Sequence, residues 1–189
     1  LSSQPENIED YFQLTNSLYI NKKYREDIFK QIIDSPLNPK HKYVYSDLGF
    51  ILLGELVEVL SGQSLDVYLE ENFYKPMNLS HTHFRPKEKE EIENIVPTIE
   101  AIDFRNSQIR GNVHDEASAL LGGVAGHAGL FSTSEDLFVI CQMLLNKGEY
   151  NGIRYIDSTT VDLFTRTHFA EHNNRRGLGF DKPLLKGKS

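Results

Sequence analysis

Three short stretches hold side chains that could do chemistry together. Tyr45-Ser46-Asp47 opens an apolar run, and Asn112-Val113-His114-Asp115-Glu116 comes later with a glycine-rich segment, Gly122 to Gly129, close behind it. A phenol at a helix start faces the positive end of the helix dipole. With a nearby ammonium that field would lower its pKa and let a phenolate accept a proton. Such a base could take the proton of an attacking serine in acyl transfer. The same residues also read as a helix N-cap beside an ordinary half-buried tyrosine, and three residues alone do not separate the two.

The glycine-rich segment carries four glycines in eight residues, interleaved with small side chains, which allows close backbone approach and tight loop packing. His114 and His127 bracket it. It reads either as the wall of a cleft or as a plain connector whose histidines satisfy local hydrogen bonds. His114, Asp115, Glu116 and His127 also make a metal-ligand set, but no two of them have a recognised ligand spacing, so no metal site is expected. His81-x-His83 reads as surface loop. There is no Gly-x-Ser-x-Gly, phosphate loop or dinucleotide fingerprint, and no cofactor is expected.

The elements must position these residues within 189 amino acids, enough for one ordinary domain with its own core. Hydrophobic content of 39% and charged content of 25% are those of a soluble globular chain. A net charge of -7 with scattered basic residues argues against nucleic acid. The longest apolar run, Gly49 to Leu60, is broken by Glu55 and Glu58, so no membrane span is expected. The single cysteine, Cys141, excludes an internal disulfide and is expected to be a buried, inert thiol on a helix face. A start at Leu1 rather than Met suggests an excised or processed segment.

Helical signals dominate. Ile8, Phe12 and Tyr19 suggest an amphipathic segment after Pro5. A stronger helix runs from Lys22 to Asp34 and ends at Ser35-Pro36. Ser46 or Asp47 then caps a helix with Phe50, Leu53, Val57 and Leu60 as its apolar positions, stopped at Gly62. Ser64 starts another, to about Phe73. Residues 95–98 and 108–111 are at best short extended pieces, and Asp115 to Leu121 makes a turn or two of helix. Ser132-Thr133-Ser134-Glu135 is a capping box for a helix whose stripe is Leu137, Ile140, Cys141, Leu144 and Leu145. Ser158 caps a last helix to about Arg166, and Gly177 to Phe180 looks like a strand. No repeat, low-complexity tract or domain boundary interrupts the chain.

Taken together, these stretches resemble the serine β-lactamase-like family of class C β-lactamases, penicillin-binding carboxypeptidases and related esterases. Tyr45-Ser46-Asp47-Leu48-Gly49-Phe50 resembles the family's Tyr-x-Asn element and the helix behind it. The stretch from Gly111 to Leu137 resembles a loop and helix found later in these domains, and the similarity in order and spacing covers roughly residues 20 to 182. It is most similar to the bacterial branch in which such a domain follows a family 3 glycoside hydrolase in one exported chain. The resemblance implies a mainly α fold for residues 1–189, the helical middle of an α/β hydrolase domain with a few short strands. In the parent it implies acyl transfer on a β-lactam, a D-Ala-D-Ala peptide or an ester. Tyr45 and a lysine would manage protons there, Asp47 would orient that lysine, and Gly126, His114 and His127 would shape the cleft.

Three departures qualify the implied chemistry. No serine in the chain is followed three residues later by lysine, the family's nucleophile motif. Its late Lys/His-Thr/Ser-Gly motif is absent as well. Asp47 stands where the family usually has Asn; a carboxylate there would raise the pKa of a facing lysine and remove an N–H₂ donor. The isolated chain is therefore expected to be inactive, with flanking parts of its own domain as its partners and apolar surface that invites self-association. Its expected substrate is a small molecule or cell-wall peptide, in an exported, periplasmic or cell-surface setting. The alternative from another class is a non-catalytic helical module that binds cell-wall glycan or peptide or mediates assembly.

Overall fold

The structure, a computed structural model, describes residues 5–15, 17–37, 43–100, 108–172 and 174–183. Strands β1 (Tyr11–Thr15) and β2 (Leu18–Asn21) form a hairpin, followed by helices α1 (Tyr24–Ile33), α2 (Leu48–Ser61) and α3 (Leu65–Leu69), the last continuing into a π-helical turn over Glu70–Tyr74. Strands β3 (His83–Phe84), β4 (Pro97–Glu100) and β5 (Gln108–Arg110) lead to α4 (Glu116–Leu120) and β6 (Leu130–Phe131). Helix α5 (Ser134–Leu145), the hairpin β7 (Glu149–Tyr150) and β8 (Ile153–Arg154), and α6 (Ser158–Thr165) complete the order. Among the described residues every sheet is a two-stranded antiparallel ladder, β1-β2, β3-β6, β4-β5 and β7-β8.

Among the described residues the hydrophobic interior is divided among three clusters. Leu14 and Ile20 of the first hairpin pack on Val113 and Ala119. Ile51 of α2 meets Leu121 and Ala125, with Ile28 and Phe29 of α1 against them. Tyr74, Met77, Leu79 and Met143 form the third, beneath α5 and the β7-β8 hairpin. Polar ties join the clusters. Arg25 of α1 reaches Glu55 and Glu58 of α2 at 2.6 Å each, and Glu58 also accepts from the Leu65 N–H at the start of α3. Buried Asp136, in the first turn of α5, accepts from the His81 N–H and the Thr82 hydroxyl and so pins that helix beside β3.

Several elements differ from the sequence reading, each for a local reason. The segment from Ile8 to Tyr19 is a short 3-10 turn and a hairpin rather than an amphipathic helix. Its apolar residues alternate along a strand pair, with Phe12 opposite Ile20 and Thr15 opposite Leu18. Helix α2 stops at Gly62, in the left-handed conformation, as the sequence suggested. The face it buries is that of Ile51 and Gly54, whereas Leu53 and Leu60 are exposed. Helix α5 likewise buries Asp136 and Met143; Leu137 and Leu145 are exposed, and Cys141 is an exposed thiol rather than a buried one. Its cap is Thr133, whose hydroxyl accepts from the Asp136 N–H, because Ser132 is engaged with Thr82. In the same way Asp157, not Ser158, caps α6. Gly177 to Phe180 makes a turn held by Gly177 N–H to Phe180 O and Leu178 N–H to Phe164 O, not a strand. No single helix among the described residues is long and apolar enough to cross a membrane.

Candidate functional site

The site grows from a contact that only glycine permits. Gly54, one and a half turns into α2, lies against Gly126. A Cβ on Gly54 would sit 2.9 Å from the Gly126 nitrogen, and a Cβ on Gly126 would sit 2.1 Å from the Phe50 carbonyl oxygen. Helix and loop therefore touch backbone to backbone, and the residue after Gly126 is carried under the start of α2. That residue is His127.

At this junction Asp47, Asp115 and His127 come together, with one potential ligand atom from each lying within 4.8 Å of the others. The His127 side chain is 3% exposed; its Nε2–H donates to Asp115 Oδ1 at 2.7 Å, while Nδ1 is buried without a partner among the described residues. Asp115 is also the N-cap of α4, accepting the Ser118 N–H at 2.7 Å. Burial pushes the Asp115 carboxyl up, but the Ser118 N–H and the His127 ring outweigh it and hold the group below the ordinary aspartate value. Asp47 precedes α2, yet its side chain makes no capping bond; the Leu48 N–H turns instead to Ser46 Oγ at 3.3 Å. The Asp47 carboxylate is left to face Asp115 and His127. Tyr45, two residues earlier in the chain, is 71% exposed.

Chemically this is a pair of carboxylates and an imidazole. The three ligand atoms could hold a cation, but Asp115 Oδ1 is already occupied by two donors, so the arrangement as it stands is a hydrogen-bonded network. Of the residues singled out in the sequence, Asp47, Gly126 and His127 are brought to one place, with Tyr45 close to Asp47 in the chain only. His114 is exposed and outside the cluster, and its neighbour Asp115 takes the inward position. In the sequence Asp115 stands out only as a metal-ligand candidate and as the first residue of a turn or two of helix. The usable signal was its place as N-cap before a helical turn, with a histidine on the glycine loop behind it. His81 and His83 share another carboxylate, donating to Glu90 Oε1 at 2.8 and 3.1 Å; His81 lies on the surface as expected, but His83 is buried.

Asp115→Asn tests the network. Asparagine can still cap α4, so the variant isolates the charged contact with His127. A depressed carboxyl contributes stability that is complete above the ordinary aspartate range and is lost as pH falls through its folded value. Wild type should be about 1 kcal/mol more stable than Asp115→Asn at pH 7, with the gap closing toward pH 3. Thermal melts across that range check it; a gap that is independent of pH would show that the contact carries no net charge interaction.

A family model described as Beta-lactamase matches residues 5–185. A Bacillus subtilis (strain 168) protein named N-acetylmuramyl-L-alanine amidase is 43% identical over 66% of this chain and 31% of its own length. An Escherichia coli (strain K12) protein that carries the name of a D-alanyl-D-alanine carboxypeptidase is 36% identical over 89% of this chain and 42% of its own. The chain thus spans about a third to two fifths of the length of these curated relatives. Among solved structures, a penicillin-binding protein from Bacillus halodurans superposes with a TM-score of 0.58 at 20% identity, over 82% of this chain and 44% of that one, a likeness of fold.

Proposed function

The chain belongs to the beta-lactamase family, and from that premise we propose that it is the helical part of a serine acyl-transfer enzyme whose proton carrier is Tyr45. In this reading a serine outside these residues attacks the carbonyl of an amide or ester. Tyr45, acting with the lysine that follows that serine at the family spacing, takes the hydroxyl proton and later returns it to the leaving amine or alcohol. Asp47 faces the lysine, and its carboxylate favours the ammonium form. The His127–Asp115 pair holds Asp47 and the start of α2 in place. Gly126 lets the loop wall the cleft, with His114 at its outer rim.

One observation carries this reading: an accessible tyrosine stands two residues before a carboxylate that spends no hydrogen bond on capping its own helix and faces the His127–Asp115 pair. An ordinary N-cap tyrosine needs none of that. The names of the relatives, which point to amide bonds of cell-wall peptides, support that substrate class, and an exported or envelope setting for the parent protein is the proposal that goes with it. With Asp in place of Asn, peptide or ester cleavage is favoured over β-lactam hydrolysis.

The test is covalent labelling by a fluorescent penicillin or an acyl phosphonate, comparing this chain with a longer one that includes the remaining parts of the domain. Labelling of the longer chain alone establishes the reading. Labelling of neither sinks it and leaves a binding module for cell-wall glycan or peptide. A related expectation concerns the outer face of α2, where Leu53, Leu56, Val59 and Leu60 are exposed. The remaining parts of the domain would cover that face. Alone, this chain should self-associate with rising concentration in sedimentation velocity, and a clean monomer at all concentrations would contradict the expectation.

A further inference from the structure

His127 is held at one of its ring nitrogens only. Nε2–H donates to Asp115, while Nδ1 is buried without a partner among the described residues. One hydrogen bond fixes a distance but leaves a ring free to tilt about it, and the second nitrogen ordinarily makes the bond that fixes orientation and tautomer. The tilt of this ring must therefore come from the backbone on either side of it. On one side Gly126 is wedged against α2. On the other, Ala128 is tied to Ser118 of α4.

Ser118 is fully buried, at 0% exposure. A serine inside a helix ordinarily returns its hydroxyl to a carbonyl one turn back. Ser118 instead donates from Oγ to the Ala128 carbonyl, ten residues further on, at 3.0 Å. Its N–H donates to Asp115 Oδ1 at 2.7 Å, and its carbonyl accepts from the Gly123 N–H at 2.8 Å. One residue thus grips the acceptor of the His127 bond and both ends of the glycine loop that carries the donor. The loop closes directly over it. A Cβ on Gly129, whose φ is +116°, would lie 2.3 Å from the Gly123 oxygen and 3.1 Å from Ser118 Oγ.

We propose that Ser118 is a positioning residue of the site, whose hydroxyl, through Ala128, sets the tilt of His127 toward Asp115 and Asp47. Its bearing on catalysis rests on the acyl-transfer reading; its effect on His127 does not. An imidazole N–H exchanges with water too fast to be seen unless it is buried and hydrogen-bonded, so the His127 Nε2–H proton reports the contact in nitrogen-edited NMR of this chain. Its loss in His127→Gln assigns it. Ser118→Ala deletes the hydroxyl and keeps the helix. In that variant the proton should exchange about fivefold faster or broaden away, the scale of one neutral hydrogen bond, and the ring nitrogen shifts should move. Ser118→Cys, with a weak S–H donor, should fall between the two.

Thr82→Val is the matched control. It removes another buried hydroxyl, one bonded to Asp136 and Ser132 rather than to the glycine loop. It should lower the melting temperature at least as much as Ser118→Ala and leave the His127 proton unchanged, which separates positioning from a general loss of stability. A His127 proton that keeps its wild-type exchange rate in Ser118→Ala, one disturbed equally by Thr82→Val, or one invisible in the wild type would each overturn the proposal. Labelling is the separate readout. In a longer chain with the remaining parts of the domain, Ser118→Ala should slow labelling by an acyl phosphonate; a wild-type longer chain that takes no label sinks the acyl-transfer reading and leaves the NMR result standing.

Discussion

Gly126→Ala should be among the most damaging single substitutions in the chain. The new methyl carbon would lie 2.1 Å from the Phe50 carbonyl oxygen, with Gly54 N and Cα at 3.0 and 3.1 Å. All three neighbours are backbone atoms of α2, so no side chain can rotate aside; the helix or the loop must move. Overpacking against side chains costs about 1–3 kcal/mol, and a fixed backbone puts this case at or above the upper end. A loss of roughly 3 kcal/mol in a domain of this size lowers the melting temperature by roughly 6–12 °C. Gly49→Ala supplies the control. It lies in the same helix, its Cβ would meet nothing within 4 Å, and alanine should stabilise the helix by about 0.5–1 kcal/mol. The pair separates close approach from helix propensity. If Gly126→Ala melts with wild type, α2 and the loop do not touch as described, and the placement of His127 under Asp47 goes with it.

The same contact explains what could be read from the sequence and what could not. The helix at Leu48–Ser61 was visible because its signals are local: a polar start, an apolar run and a glycine stop. Which of its faces would be buried was not visible, because α2 is apolar nearly all round and its periodicity points no single way. The deciding fact is that Gly54 meets Gly126, a pairing of two residues without side chains that leaves no mark in a hydrophobic pattern. The reading of Cys141 failed for a similar reason. Helix α5 is fixed by a buried carboxylate, Asp136, tied to Thr82 and the His81 N–H, and that polar anchor turns Cys141 outward. In the hairpin at Tyr11–Asn21, Ile8, Phe12 and Tyr19 fit a loose helical stripe, but the alternation along Phe12 to Leu14 is the signal that matters. Tyr45 could be singled out from its place before a helix start, and Asp47, Gly126 and His127 from the resemblance to the family. Asp115 was harder to see, since its importance lies in what the loop brings to it twelve residues later.

Tyr45→Phe should leave the fold unchanged and remove most of the acyl-transfer rate in a chain that carries the whole domain. The tyrosine is 71% exposed, and phenylalanine keeps its ring, so the change in stability should stay within about 0.5 kcal/mol. The rate should behave differently. A positioned proton carrier contributes about 10²–10⁴-fold, and phenylalanine has no oxygen with which to accept the serine proton. Labelling by an acyl phosphonate should therefore slow by that factor while the melting curve stays in place. The contrast with Gly126→Ala is informative, because that substitution should lower the melting temperature as well as the labelling. A Tyr45→Phe chain labelled at the wild-type rate would leave proton transfer to other groups, and the exposed phenol would then be a helix-start residue and nothing more. Slowed labelling with unchanged stability would place the proton on Tyr45 and make the carboxylate two residues further on the next position to vary. Asp47→Asn restores the amide usual in the family, and it should increase labelling by penicillin relative to the phosphonate if the carboxylate is what biases the site toward peptides and esters.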